Sequence, residues 1–153
     1  MITFKKVKLC FLLIFVLVNI FYIAPCYSLS LREDLFKNAL DLSSGGKFNL
    51  ALQEWNLYLD SYPDDAAGLS NRGNVRLVIG DIEGSIDDQN NAINLNPSEI
   101  DPYINRGIAE EALGLWSQAK KDYMFVISQD SQNFSALYNL AKLTIICFNS
   151  SFV

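Results

Sequence analysis

One interval constrains this chain more than any other feature: residues recur at a step of 34. Gly73 is answered by Gly107 (107 − 73 = 34), Asn71 by Asn105, Arg72 by Arg106 and Gly80 by Gly114. In the other direction Gly80 is answered by Gly46 and Pro97 by Pro63. The stretch from Ala66 to Glu99 reads as a helical pattern, a glycine, a second helical pattern and then Asn-Pro. A period of this size signals a solenoid, in which each unit is a helix pair that cannot bury its apolar face alone and must stack on a neighbour. The class of work this suggests is holding another chain in a groove.

Counted from Arg32, the units are 32–65, 66–99, 100–133 and a partial one over 134–153, and several places recur together. The eighth place holds Ala39, Gly73, Gly107 and Ala141, and the fifteenth holds Gly46, Gly80 and Gly114. The twentieth holds Ala51, Ser85 and Ala119, the twenty-fourth Trp55, Gln89 and Tyr123, and the twenty-seventh Tyr58, Ala92 and Val126. This succession resembles the tetratricopeptide-repeat (TPR) family from Arg32 to about Thr144. The resemblance implies an all-α fold, an α-α superhelical solenoid of about 3.5 units and about seven helices, following an N-terminal apolar leader helix. Departures from the family pattern are Gln89 for an aromatic, Tyr58 and Val126 for a small residue, and Ser131 for proline.

Glycine inside a helix costs roughly 1 kcal/mol relative to alanine, so Gly73 and Gly107 need an offsetting gain. The expected gain is close approach of the first helix of a unit to the second, opposite Ser85 and Ala119. Trp55 and Tyr123 are expected to fill the space between units, each large apolar group contributing roughly 1.5–3 kcal/mol on burial. Helix starts are legible too. Ser30 with Glu33 has capping-box spacing, Asp64 or Asp65 and then Asp81 can cap the next two first turns, and Ser98-Glu99 precedes Pro102, which a first turn tolerates. A last helix is expected from Gln132 or Asn133.

The first thirty residues differ from the rest. Lys5, Lys6 and Lys8 precede an apolar run from Leu9 to Ala24, and Cys26-Tyr27-Ser28 supplies small residues at the places a signal peptidase reads. Residues 1–28 are therefore expected to be a signal peptide cleaved after Ser28, or an uncleaved membrane anchor, with 29–153 as the TPR domain. Either sends the body across a membrane, into a periplasm, a thylakoid lumen or the exterior, or leaves it tethered by the leader. Three of the 12 bases lie in the leader, so nine remain against 17 acids. An acidic body without a basic run argues against nucleic acid and anionic lipid as partners. Past Ser28 the sole cysteine is Cys147, which gives no disulfide within the chain. The match to the repeat is lost after Ala141-Lys142, and the tail to Val153 is apolar where a solenoid end normally shows a polar face. A truncated product is favoured over an end that docks on a partner or on a second copy.

Histidine is absent, which removes the commonest general base and metal ligand together. No phosphate-cradling glycine loop is present. The acidic pairs Asp64-Asp65, Asp87-Asp88 and Glu110-Glu111 point about 100° apart on a helix, so they are expected to be solvated faces. No cofactor or metal and no catalytic residue are expected.

In TPR proteins the first helices line the concave face, so the resemblance implies a ladder at the sixth place: Lys37, Asn71, Asn105 and Asn139. An amide offers donor and acceptor to an extended peptide. Ser70 and Asn74 join that surface, while Ile104 and Ile108, with Phe36 and Leu40, are expected to seat apolar side chains. Grooves of this family that clamp a terminal carboxylate carry further bases in the third unit, where this chain has Asp101 and Asn105. The alternative for the asparagines is that they tie neighbouring helices together. Arg106 is expected to pair with Glu110 one turn on. The sequence thus predicts a non-enzymatic interaction module, an adaptor or assembly factor that binds a protein or peptide partner. The alternative is a structural protein that self-associates through its apolar C-terminal end. The wording Leu69 to Arg76 together with the leader is similar to small exported TPR proteins of oxygenic photosynthetic cells.

Overall fold

Gly46, Gly80 and Gly114 adopt φ of 72°, 90° and 74°, the left-handed region that a Cβ disfavours. Each closes a helix with the same pair of bonds. The glycine N–H returns to the carbonyl three residues back (Ser43, Leu77, Glu111), and the next N–H returns five back (Leu42, Arg76, Glu110) at 2.8–2.9 Å. This is the Schellman arrangement, which satisfies carbonyls a helix end leaves open.

The computed structural model describes residues 24–150, with side chains over 31–145. Seven helices fill that range: α1 (Ala24–Ser44), α2 (Phe48–Ser61), α3 (Ala66–Ile79), α4 (Ile82–Leu95), α5 (Asp101–Ala112), α6 (Trp116–Gln129) and α7 (Phe134–Ser150). There is no strand among the described residues. The expected leader 1–28, apart from its last five residues, lies outside them, as do the final three residues and the side chain of Cys147. Among the described residues no helix is long and apolar enough to cross a membrane. The chain divides into Met1–Lys37 and Asn38–Val153.

Two helix starts differ from expectation. Helix α1 already runs from Ala24, so Ser30 sits inside it rather than capping it. Helix α5 begins at Asp101 after Ile100, with Pro102 in its first turn and no side-chain cap. Helices α2 and α6 start without a side-chain cap, and the remaining three starts are capped by side chains the sequence offered. Asp65 accepts from Gly68 N at 2.8 Å, Asp81 from Gly84 N at 3.1 Å and Asn133 from Ala136 N at 3.0 Å.

Within Asn38–Val153 each helix from α2 to α7 packs on the next, and the first helices of successive units also touch, α3 with α5 and α5 with α7. The second helices α4 and α6 do not. First helices therefore lie on the inside of the stack. Gly73 and Gly107 permit close approach of the two helices of a unit, and the atoms nearest them belong to Gln89 and Tyr123 rather than to Ser85 and Ala119. A Cβ at Gly73 would stand 2.6 Å from Gln89 Nε2, and one at Gly107 would stand 2.6 Å from Tyr123 Cε1. The small eighth place thus serves the large twenty-fourth place of its own unit. Ala141 at the same place is exposed, because no described helix follows α7 to cover it.

The joint between units has its own volume rule. Tyr58 stands where the repeat wants a small residue, and Gly68 of the next unit makes room for it: a Cβ there would meet the Tyr58 ring at 2.8 Å. Tyr58 is further fixed by donating its hydroxyl to Asp65 at 2.7 Å and by edge-on contact with Trp55, centroids 5.9 Å apart. At the equivalent joint two units on, Val126 packs with Ala136 in a core cluster that includes Ile104, Ala119, Tyr123 and Leu143.

A polar tie repeats along the same joint. Arg72 donates Nε and Nη2 to Asp88 at 2.9 and 2.7 Å and Nη1 to Asn56 of the preceding unit at 3.1 Å. Arg106 does the same to Asp122, at 2.7 Å twice, and to Asn90 at 2.7 Å. Arg106 stands 4.0 Å from Glu110, so its expected partner is its secondary one. Asp88 and Asp122 are 2 % and 7 % exposed; Asp88 is an anchored ion, not part of a solvated face. Burial and the neighbouring Asp122 push the Glu110 carboxyl up to about 7, against the opposing pull of Arg106.

Candidate functional site

Helix α3 carries Ser70, Asn71 and Asn74 within one turn, and helix α5, in contact with it, carries Asp101 and Asn105. Together with Glu99, just before α5, these side chains line a cleft of about 310 Å³ on the inner row. The cleft exists because α3 and α5 are first helices of adjacent units, held one step apart by the arginine ties.

Its hydrogen bonding is directional. Asn105 Nδ2 donates to Ser70 Oγ at 3.3 Å, and Asn71 Nδ2 donates to Ala67 O one turn back at 2.9 Å. Gln89, fully buried behind α3, donates Nε2 to Ser70 O at 3.0 Å and to Asn74 Oδ1 at 3.4 Å. Among the described residues the carbonyl oxygens of Asn71 and Asn105 and the amino group of Asn74 have no partner, and the amino groups of Asn71 and Asn105 each keep a second N–H. Asn105 and Asn74 tie α5 and α4 to α3, whereas Asn71 bonds within its own helix.

The side chains expected in the groove do not all meet. Ser70, Asn71, Asn74 and Asn105 share the cleft. Ile104 does not reach a surface; it is 8 % exposed and sits in the core cluster, because its place on α5 faces α6 and α7. Ile108 is partly buried against the same cluster. Asn139 is buried on α7 and does not line the cleft. Its counterpart of Ser70 one unit back is Ile104, which offers no hydroxyl. Lys37 is exposed and belongs to the N-terminal unit Met1–Lys37. Leu40 lines a second cleft of about 260 Å³ with Phe48, Val75 and Val78, and Asn71 and Asn74 border both clefts. Gln89 was not foreseen as part of the site, although its departure from the aromatic at the twenty-fourth place was the signal for it. Among the described residues no group of three or more His, Cys, Asp or Glu side chains is placed to hold a metal.

A stack of helix pairs with a 34-residue step, glycine turns and first helices lining the inner row defines a tetratricopeptide-repeat fold. Known proteins agree. The first TPR of Spaghetti (RPAP3), solved bound to HSP90 peptide SRMEEVD, superposes with a TM-score of 0.73 at 27 % identity, over 76 % of this chain and 92 % of that one. Human sperm-associated antigen 1 is 31 % identical over 99 residues, 64 % of this chain and 11 % of that protein. RNA polymerase II-associated protein 3 of Xenopus laevis is 30 % identical over 106 residues, 69 % of this chain and 16 % of that protein. The chain thus spans about a tenth to a sixth of the length of these curated relatives. No family model matches it.

Proposed function

We propose that this chain is a non-enzymatic TPR interaction module, an adaptor or assembly factor that holds an extended peptide along its first helices. The observation that carries this reading is the cleft between α3 and α5, where Asn71, Asn74 and Asn105 each keep one amide group for a ligand. A peptide backbone needs alternating donors and acceptors, and amides supply both. The Spaghetti domain, solved bound to an HSP90 peptide, supports the same use of the fold here. The test is capture of cellular proteins by the tagged full chain, followed by mass spectrometry. Captured chains should be lost from the Asn71→Ala/Asn105→Ala variant and retained by Asn139→Ala, with helicity unchanged in both. Equal capture by all three sinks the reading.

The basic cluster and apolar run at the N-terminus support an exported or tethered body, in a setting like that of the small exported TPR proteins of oxygenic photosynthetic cells. A second reading, self-assembly, is favoured by one observation: α7 exposes Phe134 (79 %), Tyr138 (60 %) and Ile145 (63 %). Light scattering behind size exclusion separates the two. Replacing these three by serine converts an oligomer to a monomer if that face joins copies.

A further inference from the structure

We infer that the cleft between α3 and α5 selects a peptide segment bearing an arginine or lysine side chain, and rejects acidic segments and free carboxylate ends. This rests on the peptide-binding reading above and adds the sign of the ligand. Three observations lead to it.

The first is the commitment of the amides. Asn71 and Asn105 each commit one N–H, to Ala67 O and Ser70 Oγ, and keep a second N–H and the carbonyl oxygen; Asn74 keeps its amino group while its carbonyl oxygen accepts from Gln89. The amides are thus balanced between donors and acceptors, and the carboxylates of Glu99 and Asp101 tip the lining toward acceptors. The second is the charge of the lining. Glu99 and Asp101 are the charged side chains among the cleft's lining residues, and both are exposed. No ion pair to either occurs among the described residues, whereas the nearby arginines are all engaged: Arg72 and Arg76 with Asp88, and Arg106 with Asp122. A guanidinium or ammonium group brings donors without acceptors, which is the complement of this wall. A carboxylate brings acceptors without donors and would face two carboxylates and two carbonyl oxygens. The third is the neighbouring apolar cleft of Leu40, Phe48, Val75 and Val78, which Asn71 and Asn74 border from the other side. It offers the long methylene stem of such a segment, or an apolar neighbour in it, a place to lie. The peptide SRMEEVD, which the Spaghetti domain holds, has three acids to one base and is the opposite case.

The experiment uses the full chain and fluorescence anisotropy. The probes are labelled, seven-residue, C-terminally amidated peptide pools whose central residue is fixed as Arg, Lys, Ala or Glu, with SRMEEVD carrying its free carboxyl group as a fifth probe. The Arg and Lys pools should bind roughly tenfold more tightly than the Glu pool and SRMEEVD, as two exposed charge contacts allow. Raising salt should shrink the difference. Glu99→Gln/Asp101→Asn should abolish it while leaving the Ala pool unchanged, and Glu99→Lys/Asp101→Lys should reverse it. Both pairs are on exposed positions, and circular dichroism reports whether they fold. Equal or tighter binding of the Glu pool or SRMEEVD to the parent chain overturns the inference. If all pools bind alike and Asn71→Ala/Asn105→Ala abolishes them, the peptide cleft stands and the charge preference is wrong. If no probe binds, both fall.

Discussion

In the unit Ala66–Glu99 the buried twentieth and twenty-fourth places hold Ser85 and Gln89; in the unit Ile100–Asn133 the same places hold Ala119 and Tyr123. Both units carry the same arginine tie and the same interior glycine. Yet Tyr123 fills its space with a ring and donates its hydroxyl to Glu111 at 2.7 Å. Gln89 instead reaches through to Ser70 and Asn74, while its own Oε1 and the Ser85 hydroxyl are buried without partners. A buried polar atom without a partner costs about 1–3 kcal/mol. The second unit thus gives up packing at the place where its first helix faces the cleft, and the third keeps it. A repeat tolerates this because its neighbours supply stability on either side.

The contrast can be sharpened at the ties. Arg106→Met strands Asp122, whose one ion pair is to Arg106, and is expected to destabilise by roughly 3 kcal/mol. Arg72→Met leaves Asp88 with Arg76 at 3.2 Å and is expected to cost about half as much. Urea unfolding measures both. Equal losses would mean that Arg76 does not share the load.

A smaller difference is expected at the glycines. A Cβ at Gly107 meets three atoms of the buried Tyr123 ring at 2.6–3.2 Å, whereas one at Gly73 meets first the amide end of the unbranched Gln89 side chain. Alanine gains about 1 kcal/mol of helix propensity at either site, and overpacking costs roughly 1–3 kcal/mol. Gly107→Ala should therefore destabilise by up to roughly 2 kcal/mol, and Gly73→Ala by less, through the Gln89 bonds to Ser70 and Asn74 that it disturbs. Gly73→Ala should also weaken peptide binding, by displacing Gln89 from Asn74. The reverse order in unfolding experiments would break the comparison.

The smallest effect concerns pH. Glu110 is mostly buried, its Oε2 lacks a partner, and its carboxyl is raised from 4.5 to about 7. Between those values the fold holds a proton that the unfolded chain has lost, so this group makes stability fall as pH rises through the window. Glu110→Gln should leave stability near pH 4.5 almost unchanged and raise it at pH 8 by roughly 1–2 kcal/mol. Thermal unfolding at the two pH values checks this.

The period and the turns were legible because they are written in glycines whose backbone angles only glycine adopts freely. The caps at Asp65, Asp81 and Asn133 were legible because a cap is local. The arginine ties were not. Helical spacing points Arg106 to Glu110, but Asp122, sixteen residues on, lies across the helix pair in reach of both guanidinium edges. For the same reason Asp88 read as solvated: a charge beside another charge gives no sign that an arginine from the facing helix will neutralise it. The site was half legible. The sixth-place asparagines stand out at the repeat step, but whether each faces the cleft depends on the unit before it. Asn105 finds Ser70 there, and Asn139 finds Ile104. Nothing in the repeat pattern marks Gly68, and only the packed joint shows that it makes room for Tyr58.

The most direct measurement is photo-crosslinking from single benzophenone labels placed in turn at residues 67, 96 and 138 of the full chain, with the Arg-centred peptide pool as the probe. The account predicts strong, competable labelling from 67 and 96, both lining the α3–α5 cleft, and background labelling from 138. Labelling strongest from 138, or equal from all three, would contradict it.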